Sequence, residues 1–330
     1  MLVPSAIPEI SIGEVDLESD FLGHRLSAPI LITGMTGGHP DATVINRRLG
    51  ELAQHLNIAV GVGSQRAALV DERLVGTYAA VRKGAPDALV IGNIGASQLI
   101  RQRGAAALGL IELQKVVDMI EADVLAIHIN VLEELVQPEG DRNTTGYVDA
   151  IAAVVESLGV PVMVKETGAG MDRASAERLV GVGVAAIDAG GLGGTNFARV
   201  EAKRAADAGD VRRAQLGTEF SEWGIPTAAA ILEVRDVGAP IVATGGVRSG
   251  LDAAKAIALG ADIVGIGRPM LLAAVEGSAQ LDQAADLLLD ELRTAMVLTG
   301  SASVAALKAS RFVLTGMIRD WRDSLGDRRS

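Results

Sequence analysis

The chain has 330 residues, 49% of them hydrophobic, with a formal charge of -11 at pH 7; that is enough apolar side chain for a large core, and the wrong sign of field for nucleic acid or an anionic membrane. It has no cysteine, which excludes disulfides, thiolate metal centres, iron–sulfur clusters and a thiolate nucleophile. No window of about 18 residues is free of charge or glycine breaks, and the opening MLVPSAIPEISIGE lacks the basic and apolar regions of a signal peptide, so a soluble, cytoplasmic protein is expected.

Eight short apolar runs bounded by glycine and polar residues follow in chain order: APILIT (28–33), IAVGVG (58–63), ALVIGN (88–93), VLAIHIN (124–130), PVMVKE (161–166), AAIDAGG (185–191), APIVATGG (239–246) and ADIVGIG (261–267). Between them lie segments of helical periodicity such as ATVINRRLGELAQHL and GYVDAIAAVVESLG, which end at Asn or Gly. Strands alternating with helices predict parallel strands joined by crossovers, and eight such units suit a closed (β/α)8 barrel, one domain over 1–330, better than an open doubly wound sheet. The longest interruption, 192–222, is too long for an ordinary connection and reads as a lid or active-site loop. The final 60 or so residues read as helices that close the barrel.

A barrel of this kind carries its chemistry at the carboxyl ends of its strands. Those ends read Thr33-Gly34-Met35-Thr36-Gly37-Gly38, then Ser64-Gln65-Arg66, Asn93, His128 with Asn130, and Lys165-Glu166. Gly190-Gly191 with Gly193 to Asn196 follow, then Gly245 to Gly250 and Gly267-Arg268-Pro269. The glycines and Arg248 after the seventh run, a helix starting near Ser249 and a second Gly-Arg after the eighth predict a phosphate site, because backbone N–H groups at helix N-termini bind phosphate.

Several of these residues have two readings. Lys165 either pairs with Glu166 or faces an anionic ligand. His128 is either a hydrogen-bonded core residue or part of the barrel mouth, sharing a strand face with Ala126 and Asn130. Arg66 either pairs with Asp71 or Glu72, or recognises a phosphate or carboxylate. Glu133 and Glu134 are either solvated charges or a general acid/base beside a ligand for a hard cation, since Mg²⁺ takes one or two carboxylates and keeps substrate-facing waters.

Seven stretches taken together, ITGMTGG, VGVGSQR, HINVLEELVQPEGD, VMVKETGAG, GGLGGTNFARVEAKR, WGIPTAAAILEV and GGVRSGLDAAKAIALGAD, resemble the type 2 isopentenyl-diphosphate Δ-isomerases. The resemblance runs from about residue 8 to the last strand and the helix beyond it. It implies a flavoenzyme of isoprenoid biosynthesis, a homo-oligomer of four or eight copies, that interconverts isopentenyl and dimethylallyl diphosphate without net redox change. The implied cofactors are reduced FMN and Mg²⁺, with NAD(P)H as the external reductant. By the same resemblance FMN is held by Gly34, Met35, Thr36, Ser64, Asn93, Lys165, Thr195, Gly246, Arg248, Gly267 and Arg268. The diphosphate substrate meets Ser64, Gln65 and Arg66, and Glu134 holds the metal. From the residues themselves, Asn130 is a further substrate contact, and Glu133, Lys165 and His128 are the catalytic candidates.

Two departures stand out. Family members carry an N-terminal arm with an Arg-Lys pair and a His that clamp the diphosphate, whereas this sequence opens on MLVPSAIPEI, past that arm. Glu133 replaces a glutamine. A redox flavoenzyme of the same family acting on a different substrate is therefore the alternative, with a non-catalytic flavin-binding protein behind it.

Overall fold

A computed structural model describes residues 1–326. The first two strands, β1 (Ser19–Phe21) and β2 (His24–Leu26), pair antiparallel. Eight more follow in chain order, β3 (Ile30–Ile32), β4 (Ala59–Gly61), β5 (Val90–Gly95), β6 (Val124–Ile129), β7 (Val162–Glu166), β8 (Ala186–Asp188), β9 (Ile241–Ala243) and β10 (Ile263–Ile266). These eight pair in sequence order and close as β10 meets β3, every pairing parallel. The fold is the (β/α)8 barrel expected, each strand inside its apolar run except β5, which runs two residues past the end of ALVIGN to Gly95. Most strands are shorter than their runs, because the glycines and polar residues at the carboxyl ends leave the ladder to build loops.

Alternation along the strands sorts the interior into layers. Leu31, Ala59, Ile91, Ala126, Met163, Ala186, Val242 and Ile263 point inward and share one buried cluster with Phe21 and Leu26. Those last two belong to the β1–β2 hairpin, which the sequence reading missed, and they plug the amino end of the barrel. The hairpin turns at Leu22-Gly23, both with positive φ (+49° and +86°), as a two-residue turn matched to the strand twist requires. Burying Phe21 and Leu26 is worth about 1.5–3 kcal/mol each.

Two residues further along each barrel strand, the same inward face becomes Thr33, Gly61, Asn93, His128, Lys165, Asp188, Thr244 and Gly265. This ring is polar or glycine throughout, and it forms the floor of the carboxyl end.

Helices wrap the outside, from Ala42–Leu56, ending at Asn57 in the left-handed region (φ +47°), to the closing set Arg268–Glu276, Ser278–Leu298, Val304–Lys308 and Gly316–Gly326. The interruption at 192–222 is not an open loop but a helical hairpin, Phe197–Asp207 and Val211–Glu219, with a 3-10 turn at Phe220–Glu222. Asn196 and Asp210 cap its two helices through their side chains. A Cβ at Gly217 would lie 2.7 Å from both Ala198 O and Val136 Cγ1, so this hairpin packs tightly on the short helix Val131–Val136. No helix among the described residues is long and apolar enough to cross a membrane.

Candidate active site

Above the polar floor opens a cavity of about 490 Å³, within the range of cofactor sites. Its floor includes Thr33, Asn93, His128, Lys165 and Thr244, and its walls come from the loops after the strands. The Asn93 amide is oriented by two contacts: Nδ2 donates to Val62 O at 3.1 Å, so Oδ1 faces His128 Nδ1 at 2.9 Å. His128 therefore carries its proton on Nδ1. Burial, aided by the Lys165 ammonium, pushes the imidazole down to about 3, which keeps it neutral at ordinary pH. His128 sits in the cavity, but as a neutral hydrogen-bonding group rather than an acid.

Lys165 makes no ion pair among the described residues, although its Cα is in register with both His128 and Asp188. Glu166, its expected alternative partner, is engaged elsewhere: its Oε2 accepts N–H groups from Gly168, Ala169 and Gly170 at 2.6 to 2.7 Å. The ammonium is thus free to face an anionic ligand.

The carboxylate pair lies on the first turn of Val131–Val136. Asn130 Nδ2 bridges it, donating to Glu133 Oε2 at 2.9 Å and Glu134 Oε1 at 3.2 Å. Glu134 Oε2 also accepts from Asp141 N at 2.7 Å. Burial raises the Glu133 carboxyl above its ordinary value, and the neighbouring Glu134 adds to this against the Asn130 hydrogen bond. Two adjacent carboxylates in one cavity wall thus differ in surroundings, one raised above its ordinary value by burial and one fixed by three donors counting Ser97 Oγ at 3.5 Å. No group of three or more His, Asp or Glu side chains among the described residues forms a metal cage. A cation here would bind through Glu134 together with substrate oxygens, the mode Mg²⁺ favours.

The anion end lies across the cavity. The loop after β9 packs backbone to backbone on the loop after β8: a Cβ at Gly245 would fall 2.0 Å from Gly191 O, and one at Gly246 2.1 Å from Gly193 O. Both have positive φ, +103° and +86°, so glycine is required twice over. Arg248 ties the two loops, donating to Gly193 O at 2.7 Å and Gly246 O at 3.0 Å. The helix near Ser249 differs from expectation. Gly250 N donates to Glu291 Oε2 at 2.7 Å and Asp252 N to Ser249 Oγ at 3.1 Å, so the protein itself uses two of the donors offered to a phosphate. Gly246, Val247, Gly267 and Arg268 line the cavity and leave their own backbone there for an anion.

Gly34, Met35, Ser64, Arg66, Asn130 and Thr195 also line the cavity as expected. Arg66 pairs with Asp141 at 3.6 Å, not with Asp71, which binds Arg73, nor with Glu72. Two expected residues fall outside. Gln65 is 0% exposed and points between strand and helix, where Nε2 donates to Val116 O at 2.8 Å and Oε1 accepts from Asn93 N at 2.9 Å. It is a structural amide: it stands just before the helix Arg66–Val70, with both ends of its amide taken up by backbone groups. Thr36 turns its hydroxyl to Asn46 Oδ1, which anchors the first loop rather than lining the site. The sequence reading also passed over Asp188, although a carboxylate inside the apolar run AAIDAGG, two positions from inward Ala186, was a readable signal.

The family model for FMN-dependent dehydrogenases matches residues 132–314. The isopentenyl-diphosphate delta-isomerase of Methanosarcina acetivorans is 45% identical over 98% of this chain and 87% of its own length. That of Halobacterium salinarum is 47% identical over 97% and 88%, and that of Nostoc sp. 46% over 93% and 85%. A mandelate oxidase mutant solved with a monooxide FMN adduct shares the fold, with a TM-score of 0.60 over 95% of this chain and 88% of that chain at 19% identity. Identity at this level over nearly the whole length, on a barrel whose polar strand ends meet in one cavity, makes this chain an enzyme belonging to the isopentenyl-diphosphate delta-isomerase family.

Proposed function

We propose that the chain converts isopentenyl diphosphate to dimethylallyl diphosphate, with FMN held in its reduced state and Mg²⁺ on the diphosphate. One observation carries this reading: a single cavity holds on its floor an ammonium, Lys165, that has no ion-pair partner among the described residues, and on its wall a carboxyl, Glu133, that burial raises above its ordinary value. The reaction moves a double bond by one carbon, gaining a proton at the terminal alkene carbon and losing one from the carbon beside the diphosphate-bearing CH₂. It needs acid and base functions in a dry pocket, and no net electron transfer.

The fit to FMN rests on the interlocked glycines at Gly191, Gly193, Gly245 and Gly246, which leave a backbone-walled cradle. Gly246, Arg248, Gly267 and Arg268 would hold its phosphate, and Gly34, Met35, Ser64, Asn93 and Thr195 its ring and ribityl chain. When bound in reduced form, this cofactor supplies a proton donor and negative charge next to the alkene. Lys165, on the cavity floor, would stabilise that charge. His128, neutral and fixed by Asn93, shapes the floor without adding a cation. Asn130 orients Glu133, whose protonated carboxyl serves as auxiliary acid and, once ionised, as base. Glu134 would hold the metal, and Arg66 would meet the diphosphate. Glu133, standing where the resembled family has a glutamine, is the departure that favours the second reading, a flavin oxidoreductase with another substrate.

The deciding experiment incubates the purified protein with FMN, Mg²⁺ and isopentenyl diphosphate, with the flavin either oxidised or reduced by NAD(P)H or dithionite, and follows dimethylallyl diphosphate by NMR. Product only with reduced flavin, lost on chelating Mg²⁺, is expected. Bound flavin with no product above the protein-free rate rejects isomerisation, and catalytic reoxidation of that flavin by an organic acceptor would establish the redox reading.

A further inference from the structure

Asp188 is the one carboxylate in the inward polar ring, and the reading above gives it no task. It is 0% exposed. Its Oδ1 accepts from Gly190 N at 3.1 Å and from the Thr244 hydroxyl. Its Oδ2 is buried without any hydrogen-bond partner. A buried, half-satisfied carboxylate costs stability and persists only where something offsets it. The offset available is Lys165, which lies in register on the adjacent strand and points into the same interior. Side chains directly across a parallel ladder start about 5 Å apart, so ammonium and carboxylate interact through a low-dielectric interior without closing into an ion pair. Burial raises the Asp188 carboxyl above its ordinary value, and the Lys165 ammonium, the Thr244 hydroxyl and the Gly190 N–H work against that rise.

We infer that Asp188 is a positioning residue for Lys165: its unpartnered Oδ2 and the in-register ammonium face the same interior, so the carboxyl holds the ammonium at the cavity floor and partly offsets its charge. The inference rests on the reading that FMN occupies this cavity. It concerns how strongly the floor favours a negative ring. With Asp188 in place, Lys165 is a compensated cation, strong enough to favour the reduced flavin but not to trap it. Without Asp188, the same ammonium would act on the ring alone.

Sulfite tests this without turnover, because it adds to the oxidised flavin and leaves a negative charge on the ring. Asp188→Asn keeps the shape and both oxygen-side contacts and removes only charge. The variant should retain FMN, bind sulfite on the order of tenfold to a hundredfold more tightly, and show a raised flavin midpoint potential. Lys165→Met should do the opposite, weakening sulfite binding at least tenfold. In the double variant the effect of Asp188→Asn should shrink to within about threefold, because it acts through Lys165. Thr244→Val, which removes one donor to the carboxylate, should shift sulfite affinity in the same direction by a smaller factor, and it provides the reading if Asp188→Asn does not fold. Flavin-loaded Asp188→Asn with sulfite affinity within twofold of the parent, or an equal effect in the Lys165→Met background, overturns the inference alone. Failure of the parent to bind FMN overturns the cofactor reading and this inference with it.

Discussion

The two ends of the barrel interior are built by the same eight strands and the same inward parity, yet they share almost no chemistry. At the amino end the inward layer is apolar and closed by Phe21 and Leu26 of the hairpin. One inward step towards the carboxyl end, Met163 gives way to Lys165, Ala126 to His128, Ala186 to Asp188 and Val242 to Thr244. A two-residue shift along a strand, about 7 Å, separates a layer that stabilises from a layer that reacts. Charged and amide groups are tolerated in the upper layer because loops, a cavity and neighbouring strands satisfy them; in the lower layer each would be an unpaired buried group costing roughly 1–3 kcal/mol or more.

Substitutions at the two ends should therefore separate stability from catalysis. The largest expected effect is at the closed end, where Phe21→Ala empties the plug and should cost about 3–5 kcal/mol of folding free energy. A denaturant titration reads this, and kcat and KM of the folded fraction should stay unchanged; a fall in kcat would break the separation. At the open end, Glu133→Gln preserves shape and removes the proton, and kcat should drop on the order of 10²-fold with an unchanged unfolding midpoint. Because burial raises this carboxyl above its ordinary value, its acid form is lost only as pH climbs through that raised value. Activity of the parent should decline on that alkaline side, and a pH–rate profile of Glu133→Gln should lack this limb; a limb that survives belongs to another group. The smallest effect is at the boundary. Gln65→Ala strands the Val116 carbonyl and the Asn93 N–H, costing roughly 1–3 kcal/mol of stability, with KM for the diphosphate substrate within about twofold. A large rise in KM with normal stability would return Gln65 to the substrate.

Most of this architecture was legible in the sequence. Eight apolar runs at regular spacing gave the eight barrel strands, and reading the polar residues at their ends located His128, Asn130, Glu133, Glu134 and Lys165 in one cavity. The hairpin was not legible, because SDFLGHRL is short and holds only three apolar residues and its worth comes from a barrel end that exists only once the strands close. The helical hairpin at 197–219 was hidden by reading a long interval as a loop, although Asn196 and Asp210 supply ordinary N-caps.

Residue types and their period thus determined the barrel, the face that carries the chemistry and the kinds of group found there. Tertiary structure alone decided how those groups are employed. Gln65 went to a helix carbonyl and Thr36 to Asn46; Glu291 took a helix N-terminus that the sequence reading assigned to phosphate; Glu166 went to three backbone donors and left Lys165 without an ion pair among the described residues; Asp188 came to lie beside it. The physical reason is the difference in range between the two kinds of information. Hydrophobic period is local and survives in the unfolded string, whereas the partner of a hydrogen bond, and the desolvation that sets a carboxyl's charge, depend on atoms brought together from strands up to hundreds of residues apart.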